Sequence, residues 1–129
     1  MTRTPEEART LARARAAYEA VLTAFDSSRV DEFFSPDYIQ HSSLAAEGLQ
    51  ALKDFLDRAR QDTPQARTEI KRAFVDGDHV IFHVHVALAP DDPGFAVVDI
   101  FRMQDGLIAE HWDVLQQIPA TLPNRNGMF

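Results

Sequence analysis

The 129-residue sequence predicts an α+β fold in which three N-terminal helices pack on a curved antiparallel sheet that encloses a cavity. Two observations point there. The apolar spacing follows threes and fours up to Thr63-Pro64 and alternates residue by residue beyond it, so helices and strands are segregated along the chain. The alternating segments are joined by short turns with no intervening helix, which favours an antiparallel meander over a parallel, doubly wound sheet.

Thr4-Pro5-Glu6-Glu7 is a helix start, with Thr4 as the cap, Pro5 in the first turn and Glu7 closing a capping box. The first helix is expected over Pro5 to Phe25, its buried stripe formed by Leu11, Ala14, Tyr18, Val21, Leu22 and Phe25. A shorter helix, Ser28 to Phe34, ends at Ser35-Pro36-Asp37, and Tyr38-Ile39-Gln40-His41 is expected to be irregular or briefly extended. The third helix covers Gly48 to Gln61 on the spacing of Leu49, Leu52, Phe55, Leu56 and Ala59, stopped by Thr63-Pro64. Four strands follow, Thr68–Val75, His79–Ala89, Phe95–Met103 and Leu107–Gln116, and 118–129 is expected to be a coil tail. Residues 1–129 are thus expected to form one domain.

Composition narrows the function. A formal charge of -7 disfavours nucleic acid, which needs a concentrated basic surface. The absence of cysteine excludes disulfides, thiolate catalysis and cysteine-ligated zinc, and fits a cytoplasmic protein. No apolar run approaches the roughly 20 residues that span a bilayer, and the arginines near the start are not followed by a signal-like apolar segment, so neither membrane nor export is expected.

The residues that stand out lie in the last hairpin, where Asp99, His111 and Asp113 interrupt otherwise apolar strands. Buried ionisable groups cost several kcal/mol unless paired, so three together suggest a site. A three-residue turn, Gln104-Asp105-Gly106, would set Met103 opposite Leu107, Phe101 opposite Ala109, Asp99 opposite His111 and Val97 opposite Asp113, all on one face. A five-residue loop from Pro90 to Gly94 would bring His85 opposite Asp99, making a row of His85, Asp99 and His111. A four-residue loop would reverse that parity. His83 shares the face of His85, His41 is placed near the cavity mouth, and Trp112 falls on the other face with Ile100 and Val114. A sheet apolar on both faces needs two coverings, so a homodimer is expected through the second. A metal held by His83 or His85 with Asp99 and His111 is the alternative to cofactor-free chemistry.

Tyr38-Ile39-Gln40-His41, His83-Val84-His85, Val97-Val98-Asp99-Ile100-Phe101-Arg102, the run Asp105 to Gln116 and Asn124-Arg125-Asn126-Gly127-Met128-Phe129 together resemble the SnoaL-like branch of the nuclear transport factor 2-like superfamily. They are most similar to a bacterial subgroup described as aldol-condensation-catalysing. The resemblance covers nearly the whole chain and implies a cone-shaped nuclear transport factor 2-like α+β fold. Asp113 and His111 match, in identity and spacing, the acid-base aspartate and the histidine of the polyketide cyclases of that branch. Where those cyclases commonly carry a second histidine, this chain has Asp99, which resembles instead the oxyanion-hole acid of the related ketosteroid isomerases. The isomerases' base has no matching position here, and Arg102 has the wrong parity to complete the Asp-Arg-Asp set of the family's epoxide hydrolases.

The expected function is therefore cofactor-independent aldol condensation or cyclisation of a small, mostly apolar, carbonyl-containing molecule. Asp113, His111 and Asp99 are the expected catalytic residues, and Tyr38, His41, His83, His85 and Phe101 the expected substrate-binding residues, with no metal and no other cofactor. Ligand binding without catalysis, isomerase-like proton transfer and the metal-dependent reading remain as alternatives.

Overall fold

The computed structural model describes residues 2–129. Thr4 caps the first helix, α1 (Pro5–Ala17): its hydroxyl accepts the Glu7 N–H at 3.0 Å, and Glu7 Oε1 accepts the Thr4 N–H at 2.9 Å. The reciprocal pair satisfies two N–H groups that the first turn leaves without partners. Regular α-helix stops at Ala17, earlier than the apolar stripe suggests, and Tyr18–Thr23 continues as a wider π-helical turn. The chain then leaves through Phe25 in a left-handed conformation (φ 49°), with Asp26 N–H donating to Val21 O and Phe25 N–H to Leu22 O. This is a Schellman ending with phenylalanine where glycine is usual. The Phe25 ring packs against the core.

A 3-10 turn, Ser27–Arg29, leads into one turn of helix, α2 (Val30–Phe33), and directly into β1 (Phe34–Gln40). The stretch expected to be irregular or briefly extended is thus part of a strand that begins at Phe34. It runs parallel to the last strand, β5 (Leu107–Gln117), with Ile39 beside Glu110 and Gln40 beside His111. Pro36 lacks an N–H and falls in the irregular part of this pairing, which an edge strand tolerates. α3 (Leu49–Asp62) buries Leu52 and Leu56 and ends where the Thr63 N–H and hydroxyl both donate to Ala59 O.

The remaining strands are β2 (Arg67–Asp76), β3 (His79–Ala87) and β4 (Phe95–Gln104), giving the sheet order β1-β5-β4-β3-β2. The sheet is curved and unclosed, antiparallel except at β1. Its inner face meets the helices in a core that includes Val21, Val30, Phe33, Leu56, Phe82 and Ile108. No helix among the described residues is long and apolar enough to cross a membrane.

Two registers differ from the sequence expectation. In the last hairpin the turn has two residues, Asp105 and Gly106, both with positive φ (55° and 77°), the geometry that suits a right-twisted pair. Gln104 then faces Leu107 and Met103 faces Ile108, Ala109 bulges, and beyond it Phe101 faces His111 and Asp99 faces Asp113. Asp99 is therefore opposite Asp113, not His111. The shortened turn would have reversed the faces, and the bulge restores them, so Asp99, Phe101, His111 and Asp113 still share the inner face.

Between β3 and β4 no such compensation occurs. Val86, not Ala89, faces Phe95, so His83 lies opposite Val98, His85 opposite Ala96, and Phe82 opposite Asp99. The connecting loop is closed by Asp92, whose carboxylate accepts the N–H groups of Leu88 and Gly94 at 3.1 and 3.0 Å. Gly94 (φ 83°) passes so near β3 that a Cβ there would lie 2.1 Å from Val86 O. The row of His85, Asp99 and His111 does not form, because pairing ends three residues earlier on β3, at Val86 rather than Ala89, and that odd shift reverses the parity.

Candidate active site

Between the helices and the inner face of the sheet lies a cavity of about 710 Å³. Leu22, Phe25, Leu52, Phe55, Val97 and Leu115 are among its largely apolar walls, and none of its lining residues is lysine or arginine. Polar side chains gather on one side: Tyr18 from the π-helical turn, Tyr38 and Gln40 from β1, Ser42 just beyond it, Asp99 from β4, and His111 and Asp113 from β5. Alternation along the strands turns these inward, while β1 contributes only because it pairs with β5.

Asp99 and His111 are 6% and 8% exposed, and their bonds form one connected network. Tyr18 Oη donates to Asp99 Oδ2 at 2.7 Å, and His111 Nε2 lies 2.8 Å from Asp99 Oδ1. On its other side His111 Nδ1 lies 2.8 Å from Gln40 Oε1. The amide orientation follows from Ser42, whose backbone N–H can only donate and reaches Gln40 Oε1 at 3.0 Å. Gln40 Nε2 therefore donates to Tyr38 Oη at 2.7 Å, and Nδ1 of His111 carries a hydrogen. One proton remains to be shared between His111 Nε2 and Asp99 Oδ1. Phe101 stacks on the imidazole, with centroids 4.8 Å apart.

Burial pushes the Tyr18 hydroxyl well above the ordinary phenol range, and the negative charge of Asp99 adds to the effect. Tyr18 thus keeps its proton and acts as a donor. Tyr38 is raised likewise, by burial first and then by the charge of Asp99.

Asp113 has a different environment. Ser42 Oγ donates to its Oδ2 at 2.8 Å, but Oδ1 is buried and has no hydrogen-bond partner among the described residues. Its pKa is raised above the ordinary 3.8: burial raises it, the Ser42 hydroxyl and His111 oppose the rise, and Asp99 adds to it.

Of the expected binding residues, Tyr38 and Phe101 line the cavity and the three histidines do not. His41 is one residue beyond inward-facing Gln40; its ring stacks on Trp112 at 5.0 Å and its Nε2 lies 2.7 Å from Glu110 Oε2. His83 and His85 lie on the outer face beneath the Phe129 ring, at 5.1 and 5.0 Å. His83 also bonds Arg72, and His85 Nε2 lies 2.8 Å from Pro93 O. The alternative metal site of His83 or His85 with Asp99 and His111 is thus not assembled. Among the described residues Asp99, His111 and Asp113 offer three ligand atoms within 4.8 Å of one another, although a cation there would have to displace the His111–Asp99 bond.

Sequence reasoning missed three members of this site. Tyr18 reads as one more apolar position of α1, Gln40 depends on the unforeseen strand β1, and nothing near Ser42 marks it. The one available signal was the Tyr18 hydroxyl, which in a buried stripe requires a partner.

Comparison with known proteins agrees with the fold. The sequence profile of the SnoaL-like domain matches residues 14–111. A candidate polyketide cyclase from Bacillus cereus ATCC 10987 superposes with a TM-score of 0.72 at 22% identity, over 83% of this chain and 74% of that one. A nuclear transport factor 2-like protein of unknown function from Mesorhizobium loti gives 0.71 at 21%, over 89% and 97%. A candidate ketosteroid isomerase from Kribbella flavida DSM 17836 gives 0.71 at 18%, over 94% and 87%. No curated protein matches the sequence. The inner-face carboxylates, the helix-covered cavity and the profile match over most of its length agree: this chain belongs to the SnoaL-like domain family.

Proposed function

We propose that the protein is a cofactor-independent acid-base enzyme that enolises a neutral, mostly apolar carbonyl compound and couples the enolate to a second carbonyl in an aldol condensation or cyclisation. The observation that carries this reading is the uncommitted, buried Asp113 Oδ1 at the edge of an apolar cavity. A carboxylate with one oxygen free of hydrogen bonds and a raised pKa is a stronger base than one in water. Asp113 takes the α-proton and the C–H electron pair becomes the enolate. That pair then forms the new C–C bond, and the resulting alkoxide recovers the proton from Asp113. Return of the proton at another carbon would give an isomerase instead, so the same base serves both activities named among the structural neighbours.

His111 and Asp99 have their side-chain nitrogens and oxygens engaged, so we assign them to setting the charge beside Asp113 rather than to reaching the substrate. The lack of lysine and arginine around the cavity supports a substrate without a free carboxylate or phosphate. We further propose a homodimer that buries the outer sheet face, where Phe74 and Val114 are 53% and 66% exposed. We place this chemistry in the cytoplasm, since the cysteine-free chain needs no oxidising environment.

The test uses 2-tetralone, a small apolar ketone with an acidic α-proton, in D2O. Wild-type protein is expected to speed α-deuteration, followed by NMR, and Asp113→Asn to lose at least about 100-fold of that rate. Exchange unchanged by the substitution would sink the proposal.

A further inference from the structure

We infer that Ser42 is a positioning residue for the proposed base: its hydroxyl grips one oxygen of Asp113, leaves the other to the cavity, and ties the carboxylate to the loop at the cavity mouth. The inference rests on the acid-base reading above and adds to it the group that sets the base in place and links it to the entrance.

The fold brings Ser42 to that position. The parallel register sets Gln40 beside His111, and the His41 N–H donates to His111 O at 2.9 Å, so Ser42, next along the chain, arrives level with Asp113. Its Oγ donates to Asp113 Oδ2 at 2.8 Å and accepts the Leu44 N–H at 3.2 Å. The amide takes up a lone pair of the hydroxyl and an ionised carboxylate can only accept, so the hydroxyl proton is directed at Asp113. The Ser42 N–H meanwhile donates to Gln40 Oε1, the oxygen that also faces His111 Nδ1. Among the described residues, Ser42 alone is bonded both to Asp113 and to the network of Gln40, His111 and Asp99.

The same residue begins the loop at the mouth. Ser42, Ser43, Leu44 and Ala45 line the cavity between β1 and α3, and Leu44 is 57% exposed, so this stretch borders cavity and solvent at once. A ligand entering past Leu44 meets a backbone whose N–H is held by the hydroxyl that holds the base. Movement of the loop therefore reaches Asp113 through two successive hydrogen bonds, and a change in the charge of Asp113 reaches the loop by the same route.

Asp99 from β4, His111 from β5, Tyr18 from the π-helical turn and Tyr38 from β1 are the ionisable groups around Asp113. Burial raises the pKa of Asp113, and the Ser42 hydroxyl, its one hydrogen-bond partner among the described residues, opposes the rise. Without that hydroxyl Asp113 would ionise at higher pH, and no hydrogen bond would fix which oxygen meets the substrate.

The test follows Asp113 with and without turnover. In protein carrying 13C-labelled aspartate, the Asp113 carboxyl resonance, assigned by its loss in Asp113→Asn, is titrated beside the pH profile of 2-tetralone exchange. Ser42→Ala is expected to move both the carboxyl midpoint and the rising limb to higher pH, with exchange about tenfold slower on that limb, the usual scale for a hydrogen bond to a charged group. Ser42→Thr, which keeps the hydroxyl, is expected to hold the wild-type midpoint. The Leu44 amide resonance is expected to titrate with that midpoint in wild type and to stay flat in Asp113→Asn. A carboxyl midpoint unmoved in Ser42→Ala, or moved as far in Ser42→Thr, overturns the inference, and a Leu44 amide silent through the Asp113 titration overturns the tie to the loop. Exchange that does not depend on Asp113 would remove the base reading itself, whereas an unmoved midpoint with exchange still dependent on Asp113 removes only the role of Ser42.

Discussion

Asp99 and Asp113 stand directly opposite each other on β4 and β5, yet one has both oxygens bonded and the other has one oxygen bare. Adjacent carboxylates in unlike settings divide into unlike tasks. Asp99 is held by Tyr18 and His111 as part of the wall. Asp113 keeps one oxygen without a partner among the described residues.

The pH dependence of the proposed exchange reaction follows from that difference. Asp113 must be ionised to act as a base, and its pKa lies above the ordinary 3.8 because burial disfavours the charged form. The 2-tetralone exchange rate is expected to rise with pH along a limb displaced upward from 3.8. A limb at the ordinary carboxylate value would contradict the assignment.

Stability should respond in the opposite sense. A carboxyl whose folded pKa is raised carries no ionisation cost below its unfolded value, and the cost is complete once pH has risen through the folded value. Asp113→Asn is therefore expected to raise the urea midpoint at pH 7, with the gain over wild type shrinking toward pH 4. A variant less stable than wild type at neutral pH would show that the orphan oxygen is satisfied in solution.

Tyr18→Phe removes the donor to Asp99 Oδ2 while keeping a ring that packs edge-on against Phe82 and Phe101, at 5.3 and 5.9 Å. Leaving that buried oxygen without a donor is expected to cost about 1–3 kcal/mol, measured by urea unfolding. A loss within error of zero would mean that water replaces the hydroxyl.

Gly94→Ala tests the loop that sets the β3–β4 register. A methyl group there meets the Val86 carbonyl and demands a positive φ of an L-residue, so a loss of more than about 1 kcal/mol is expected in the same measurement. Full stability would require the loop to be freer than its Asp92 bonds imply.

The outer-face histidines offer a contrast. His83→Ala is expected to leave 2-tetralone exchange within about twofold of wild type, since surface substitutions away from a site rarely matter. A large loss would place His83 within reach of the substrate.

The sequence carried the helices, the meander and the inner face of the last hairpin, because each is written in local periodicity. It did not carry β1, whose seven residues include a proline and which is a strand only by pairing with a segment some 70 residues later. Nor did it carry the counts on which parity depends. The last hairpin differs from expectation by a shorter turn and by one bulged residue, two changes that cancel and leave His111 and Asp113 inside. At β3–β4 a single uncancelled change put His83 and His85 outside. Tyr18 illustrates a further limit, since a phenol that completes a polar network has the same spacing signature as one that merely fills space.

The bulge at Ala109 has a consequence for how such a site can change over generations. Pairing, rather than chemistry, decides which side of β5 lines the cavity: straightening the bulge with every residue kept would turn Glu110 and Trp112 inward and carry His111 and Asp113 away, whereas loss of Ala109 itself would leave every pair beyond it in place. New specificities are therefore open to point substitution at inward positions, and the length change the hairpin can absorb is loss of the bulged residue, so lineages that diversify this cavity should vary in residue identity while keeping Asp99 opposite Asp113.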